Sequence, residues 1–129
     1  MIYVLDTHAL VWFLEANRRL GKRAKSVLLK ADTEIVIPAI VLAESKFLFA
    51  KKRIGADLDT IYRRVITARN CTVYPLDEAV IAKMPTTLEI HDAMIIATGL
   101  VIQEAWGREV AVITRDEALV NAGLLGTLW

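Results

Sequence analysis

Residues 1–14 read MIYVLDTHALVWFL, and this stretch decides the fold. The run Ile2–Leu5 is apolar and rich in β-prone side chains, whereas the apolar residues after Asp6 recur at the spacing of a helix. The stretch therefore predicts a short strand that leads directly into a helix. Asp6 stands at the junction, so its carboxylate is expected at the carboxyl end of a strand.

The same alternation of short apolar runs and amphipathic stretches continues along the chain. Further strands are predicted at Glu34–Ile37, Cys71–Tyr74 and Glu109–Thr114, with helices between them. Such alternation is typical of β-α-β units with right-handed crossovers around a parallel sheet. We therefore predict a single domain, residues 1–129, of the α/β class. It is a three-layer α/β/α domain with a central, mainly parallel sheet of four to five short strands. The tail Leu124–Trp129 is apolar to its last residue.

The composition fits one globular domain of 129 residues, because 55% hydrophobic and 24% charged residues exclude a disordered or low-complexity chain. The lone Cys71 can form neither an internal disulfide nor a thiolate zinc site, which favours a cytoplasmic location. The longest uncharged apolar run, Ala93–Ile102, is about half the ~20 residues that a membrane span needs. No signal-peptide core precedes Asp6. We expect no membrane association.

Four of the 15 acidic residues lie among apolar residues, where a solvated surface would not place them. They are Asp6, Glu44, Asp92 and Asp116. Asp6 and Asp116 each follow a predicted strand, at the edge where open α/β sheets keep their ligand crevice; the alternative is that each caps the next helix. Asp92 opens the predicted helix His91–Trp106, where an acid also complements the helix dipole.

Glu44 falls in the middle of an apolar stripe on the helix predicted from Pro38 to about Arg53. The stripe consists of Ile40, Val41, Phe47 and Leu48. A buried carboxylate on that face must be protonated, paired or bound to a cation. A buried ion pair, or a stripe that borders a cleft, remains the alternative. On the back of the helix, Leu42 and Phe49 face either a second subunit or the helix predicted at 57–69.

Four carboxylates at one edge would repel one another and raise at least one pKa, unless a divalent cation lies among them. Two histidines and no thiolate cluster leave hard oxygen ligands, which select Mg²⁺ or Mn²⁺. Thr7 and Thr114 lie beside two of the acids. They are candidates to hold a ligand, a water or a phosphate oxygen, or else are ordinary turn hydroxyls. His8 is expected to point inward beside a carboxylate.

The charge distribution favours a polyanionic substrate more than the net charge of +1 does. Once the four acids are set aside, 16 basic residues face 11 of the 15 acidic ones. The basic residues concentrate in Arg18, Arg19, Lys22, Arg23 and Lys25, in Lys51, Lys52 and Arg53, and in Arg63, Arg64 and Arg69. A metal centre ringed by cations suits a phosphodiester polymer. Each cluster alone is also consistent with a solvated helix face.

Four segments, in this order, resemble a known family. They are LDTHALVW at 5–12, Pro38 with Glu44 six residues later, HDAMIIAT at 91–98 and ITRD at 113–116. No single segment is specific, but four in sequence within a chain of this length are. Together they resemble a PIN domain, and in particular the small stand-alone ribonucleases of the VapC toxin type. The resemblance covers essentially the whole chain.

The resemblance implies a Mg²⁺- or Mn²⁺-dependent endoribonuclease in which Asp6, Glu44, Asp92 and Asp116 are the catalytic and metal-ligating acids. It also implies a homodimer and, for toxin members, a cognate antitoxin protein whose tail covers the pocket. No second acid lies two residues from Asp116, which leaves the number of metal ions and the part played by Asp116 open.

The candidate substrate-binding residues are Thr7, Thr114 and Arg115, and the resemblance implies that the substrate is single-stranded or structured RNA. The alternatives are a solitary PIN-type nuclease without an antitoxin, and a catalytically silent module that binds RNA or protein.

Overall fold

Strand β1 (Ile2–Leu5) lies in the middle of the sheet, and all of its residues except Tyr3 are buried. The computed structural model describes all 129 residues. The other strands are β2 (Glu34–Pro38), β3 (Cys71–Tyr74), β4 (Val110–Ile113) and β5 (Gly126–Leu128). The helices are α1 (Thr7–Leu14), α2 (Lys22–Leu28), α3 (Ala39–Ala50), α4 (Leu58–Thr67), α5 (Glu78–Lys83), α6 (Ile90–Trp106) and α7 (Glu117–Ala122).

The five strands form one parallel sheet in the order β3-β2-β1-β4-β5. In its register, Val4 lies opposite Val36 on one side and Val112 on the other. The chain moves from β1 outward to β3 and then crosses back to β4, so the winding direction reverses between β1 and β4. A crevice opens at such a switch point, outside the carboxyl ends of the two strands.

Helices cover both faces of the sheet. Right-handed crossovers place α1 to α4 on one face and α5 to α7 on the other, and α1, α3 and α4 contact one another in turn, as do α5, α6 and α7. A single cluster of 24 buried apolar residues joins the sheet to both helix layers. The predicted three-layer α/β/α architecture is confirmed. None of the helices has the length and hydropathy of a membrane span.

The caps explain where several helices begin and end. Asp57 and Asp77 each accept a hydrogen bond from the backbone N–H three residues on, at 2.8 and 2.9 Å, and so cap α4 and α5. Gly107 ends α6 in the left-handed conformation, with φ 61°. Helix α3 is shorter than predicted. It ends at Ala50, and Lys52 adopts φ 59°, which turns the chain away from the helix axis.

The apolar tail forms a structure that the sequence did not define. Gly126–Leu128 pairs with β4 as the edge strand β5, and Leu125 is buried. Trp129 follows and packs edge-on against Trp12, with ring centroids 5.9 Å apart. Its ring also lies directly over Gly21, which precedes α2. The last residues are thus anchored on the α1–α2 connection.

Replacement of Gly21 by Ala is expected to loosen this anchor, because the added Cβ would clash with the backbone carboxyl carbon of Trp129 and would lie 2.6 Å from Cδ1 of its ring. The backbone at Gly21 has φ −61° and ψ 149°, which any residue can adopt, so the clash alone causes the effect. Overpacking of this kind costs about 1–3 kcal/mol, and we expect the free energy of unfolding to fall by that amount. Urea denaturation followed by tryptophan fluorescence measures it.

The matched control is Gly126→Ala in β5. There the added Cβ meets only the Cβ of Ala111, at 3.9 Å. We expect its effect to stay within about 0.5 kcal/mol. Equal stability of the two variants would show that Trp129 does not pack on Gly21 in solution.

Candidate active site

A pocket of about 530 Å³ opens at the carboxyl edge of the sheet, beside the switch point between β1 and β4. All four acidic residues singled out in the sequence line it: Asp6, Glu44, Asp92 and Asp116. They come from the end of β1, from α3, from the first turn of α6 and from the segment after β4. The fold thus brings together carboxylates that are remote along the chain.

Asp6 and Asp116 line the same pocket because the strands that precede them are paired, with Leu5 opposite Ile113, and because the Thr114 hydroxyl accepts from the N–H of Asp116 in the turn after β4. The N–H of Asp6 donates to the carbonyl of Ile113 at 3.3 Å. Each is also an N-cap, since Oδ1 of Asp6 accepts from the N–H of Ala9, and Oδ1 of Asp116 accepts from the N–H of Ala118, both at 2.8 Å. The two roles considered as alternatives, helix capping and pocket lining, therefore occur together in both residues.

Glu44 is held by a hydrogen bond from the first helix. The Thr7 hydroxyl donates to Oε1 of Glu44 at 3.0 Å, while Oε2 lies 3.9 Å from Nδ1 of His91. The Glu44 side chain is 30% exposed, so it is not a buried charge. Helix α3 reaches the core through Val41 and Ser45 instead.

The stripe around Glu44 borders a cleft, which is the second of the two alternatives. Ile40, Phe47 and Leu48 line the pocket, and Phe47 is 66% exposed. The expectation that Glu44 faces the core is therefore wrong. On the back of the helix, Leu42 and Phe49 line an open groove beside α4, and Phe49 remains 42% exposed.

The electrostatics of the pocket show a shortage of positive charge. The pKa of Asp92 is raised from 3.8 to about 6, first by burial and then by the negative charges of Asp116, Glu89, Glu44 and Asp6. Burial also raises the pKa of Asp6, against the opposing effect of hydrogen bonds from Thr114 and Ala9. Mutual repulsion among these carboxylates is therefore a property of the folded chain.

The two threonines have protein partners of their own. Thr7 is buried and donates to Glu44, while the buried Thr114 hydroxyl accepts from the N–H of Asp116 at 3.0 Å. Both hydroxyls therefore orient site acids. A direct contact of either with a substrate, as predicted from the sequence, stays a prediction.

The histidines differ from expectation. His8 is exposed rather than buried, but it lines the pocket together with Asp6, so it does lie beside a carboxylate. Its ring lies 5.1 Å from that of Trp12. His91 lines the pocket, with Nδ1 3.4 Å from Oε1 of Glu89. Glu89 is a residue that sequence reasoning missed. It caps α6 by accepting from the N–H of His91 at 2.9 Å, and its place three residues before Asp92 was the available signal.

The donor chemistry of the pocket suits a hard divalent cation, because its acidic groups offer only carboxylate oxygens and no thiolate lines it. No three His, Cys, Asp or Glu side chains are close enough in this structure to hold one ion together. Water must therefore complete any coordination, as it usually does around Mg²⁺.

Solved structures of similar fold come from bacterial protein pairs. A chain of VapBC2 from Rickettsia felis, bound to a promoter DNA fragment, has a TM-score of 0.64 and 17% identity, with 99% of this chain and 98% of that chain covered. A chain of FitAcB from Neisseria gonorrhoeae has a TM-score of 0.65 and 20% identity, covering 99% and 97%. A chain of a toxin-antitoxin complex from Klebsiella pneumoniae has a TM-score of 0.61 and 22% identity, covering 98% and 96%.

No curated protein matches the sequence. The family model of the PIN domain matches residues 3–124, which include all four pocket acids and, apart from the first residue of β1, every element except strand β5. The chain therefore belongs to the PIN-domain family.

Proposed function

We propose that this protein is a Mg²⁺- or Mn²⁺-dependent endoribonuclease that hydrolyses RNA phosphodiester bonds. One observation carries the proposal: four carboxylates from four parts of the chain line one pocket, where burial first and their mutual repulsion second raise the pKa of Asp92 to about 6. A stable fold that keeps such a cluster needs a compensating cation. The family adds support, since PIN domains are nuclease-type hydrolases.

Asp6, Glu44 and Asp92 would hold the metal, directly or through water, and Asp116 would hold a second metal or orient a water. When bound, a divalent ion lowers the pKa of a water and neutralises charge on the attacked phosphate. The chain itself positions the carboxylates. The cap of α1 fixes the Asp6 carboxylate, and the Thr7 hydroxyl fixes that of Glu44.

No protein nucleophile is needed for this chemistry. Cys71 lies on β3, outside the pocket lining, and burial raises the pKa of its thiol, which disfavours the reactive thiolate. The product of in-line attack by water would carry a 5′ phosphate.

The substrate and the partners belong to the same proposal. Lys51 lines the pocket, and the residues of the Arg18–Lys25 cluster are exposed, as binding to an RNA backbone requires. Thr7, Thr114 and Arg115 remain the proposed substrate-binding residues. Because the structural neighbours are toxin-antitoxin complexes, we propose a toxin role in the cytoplasm, with a cognate antitoxin and a homodimeric nuclease.

Asp6→Asn tests the proposal without disturbing the cap, because Asn caps a helix about as well as Asp. We expect the purified protein to cleave single-stranded RNA with Mn²⁺ or Mg²⁺, and not in EDTA. Asp6→Asn is expected to lose at least a hundredfold in cleavage rate, on the order of the losses seen when one charge-stabilising group is removed from an active site. Its melting temperature should hold or rise, since one repelling charge is gone.

Asp57→Asn is the control for this variant. Asp57 caps α4 with the same geometry, 2.8 Å to the N–H of Thr60, but lies outside the pocket. It should keep full cleavage activity. Cleavage that persists in EDTA would contradict the mechanism. A marked loss of stability in Asp6→Asn alone would assign Asp6 a structural role.

The raised pKa of Asp92 predicts that the stability of the protein depends on pH. A carboxyl whose pKa is 3.8 when unfolded and about 6 when folded binds its proton more tightly in the folded state. Its contribution is therefore favourable below pH 4 and is lost as the pH rises through 6. In EDTA we expect the urea midpoint to fall between pH 4.5 and pH 7. Asp92→Asn should flatten this fall and be the more stable protein at pH 7.

Added Mn²⁺ gives a second measurement on the same variants. At pH 7 it should raise the urea midpoint of the natural protein, because binding to the folded state alone stabilises that state. The rise should be much smaller in Asp92→Asn. Asp32→Asn, in an exposed turn, controls for the loss of one charge. An equal response to Mn²⁺ in all three proteins would place the metal elsewhere.

A further inference from the structure

Arg115 is held at the rim of the acid pocket by two indoles. Its guanidinium carbon lies 4.6 Å from the ring centroid of Trp12 and 5.8 Å from that of Trp129. On the pocket side, the ring of Trp12 lies 5.1 Å from that of His8, which lines the pocket. In sequence, Arg115 stands directly before Asp116. Arg115 itself does not line the pocket, but its chain neighbour Asp116 and the residue packed on Trp12, His8, both do.

The guanidinium has no acidic partner. Arg115 is exposed, and its side chain makes no ion pair and no hydrogen bond within the chain. Arg63 and Arg108, by contrast, each pair with a carboxylate. A cation held against an aromatic ring keeps the N–H donors in its own plane free. Those donors match the oxygens of a phosphate in a two-point contact.

A second cation shares the same indole. The guanidinium of Arg19, in the connection between α1 and α2, lies 5.9 Å from the ring centroid of Trp12. Arg19 is exposed as well. Two cations on one ring with no carboxylate between them repel each other, and an anion placed beside them relieves that repulsion.

We propose that Arg115, positioned by Trp12 and Trp129, binds a phosphate of the RNA strand adjacent to the phosphate that is cleaved. The inference rests on the proposed function and deepens it. It gives strand β5 a part in the site, because β5 delivers Trp129 to the guanidinium. Trp12 and Trp129 are positioning residues, and Arg115 is the residue that touches the substrate.

Salt-dependent binding tests the proposal apart from cleavage. The probe is a fluorescein-labelled single-stranded oligouridylate, bound without metal to the protein carrying Asp6→Asn. One phosphate contact on a single strand contributes about 0.7 to the slope of log K against log salt concentration. Arg115→Gln is expected to weaken binding and to lower that slope by about 0.7. Arg115→Lys should keep the slope, since the charge remains, but bind more weakly because the planar fork is lost.

Arg69→Gln is the matched control. Arg69 is an exposed arginine just before β3, at the opposite edge of the sheet from the pocket, and its loss removes the same charge. It should leave the slope unchanged. Trp129→Leu should weaken binding in the natural background but have no further effect in Arg115→Gln, because Trp129 acts through Arg115.

The outcomes separate the two proposals. If the slope of log K against log salt concentration is the same in Arg115→Gln as in Arg69→Gln, the role of Arg115 is overturned and the proposed nuclease function is unaffected. An additive effect of Trp129→Leu in Arg115→Gln would overturn the positioning role of Trp129. RNA binding with the expected slopes, in a protein that cuts no RNA with any metal, would overturn the nuclease alone.

Discussion

A carboxylate that is 8% exposed at the end of a central parallel strand is the constraint on which the site depends. Asp6 follows Leu5 in a strand paired on both sides, so its position cannot relax without loss of the sheet. The backbone N–H of Ala9 and the Thr114 hydroxyl compensate part of the cost of burial, which still raises the pKa of Asp6. The part of this cost that stays uncompensated is the physical basis of the proposed cation site in this pocket.

The other acids are arranged around this position by different means. The pairing of β1 with β4 brings the turn that carries Asp116 to the same edge as Asp6, and the Thr114 hydroxyl holds the backbone of Asp116 in that turn. Glu44 depends on side-chain packing, because α3 must meet α1 for the Thr7 hydroxyl to reach it. Asp92 depends on the start of α6, which Glu89 caps. The pocket therefore combines positions set by the rigid sheet with positions set by the packing of helices.

Helix α3 packs against three different surroundings. Val41 and Ser45 enter the core, Ile40, Glu44 and Phe47 face the pocket, and Leu42 and Phe49 face α4. A helix with apolar residues on all sides has no single stripe that marks the core. This is why the helix was predictable as an element while its buried face was not.

The sequence alone was sufficient for the order of elements, for the parallel sheet and for the four acids, because strand ends and helix starts are local features. Asp6 and Asp116 were placed at one edge on that basis, and the structure brings all four acids to one pocket. Tertiary contacts alone determined the exposure of His8 at the pocket, the hydrogen bond from Thr7 to Glu44, and the formation of β5 with the packing of Trp129. A three-residue edge strand that contains a glycine has no period to detect, and it forms only because β4 offers a free edge and Gly21 leaves room for an indole.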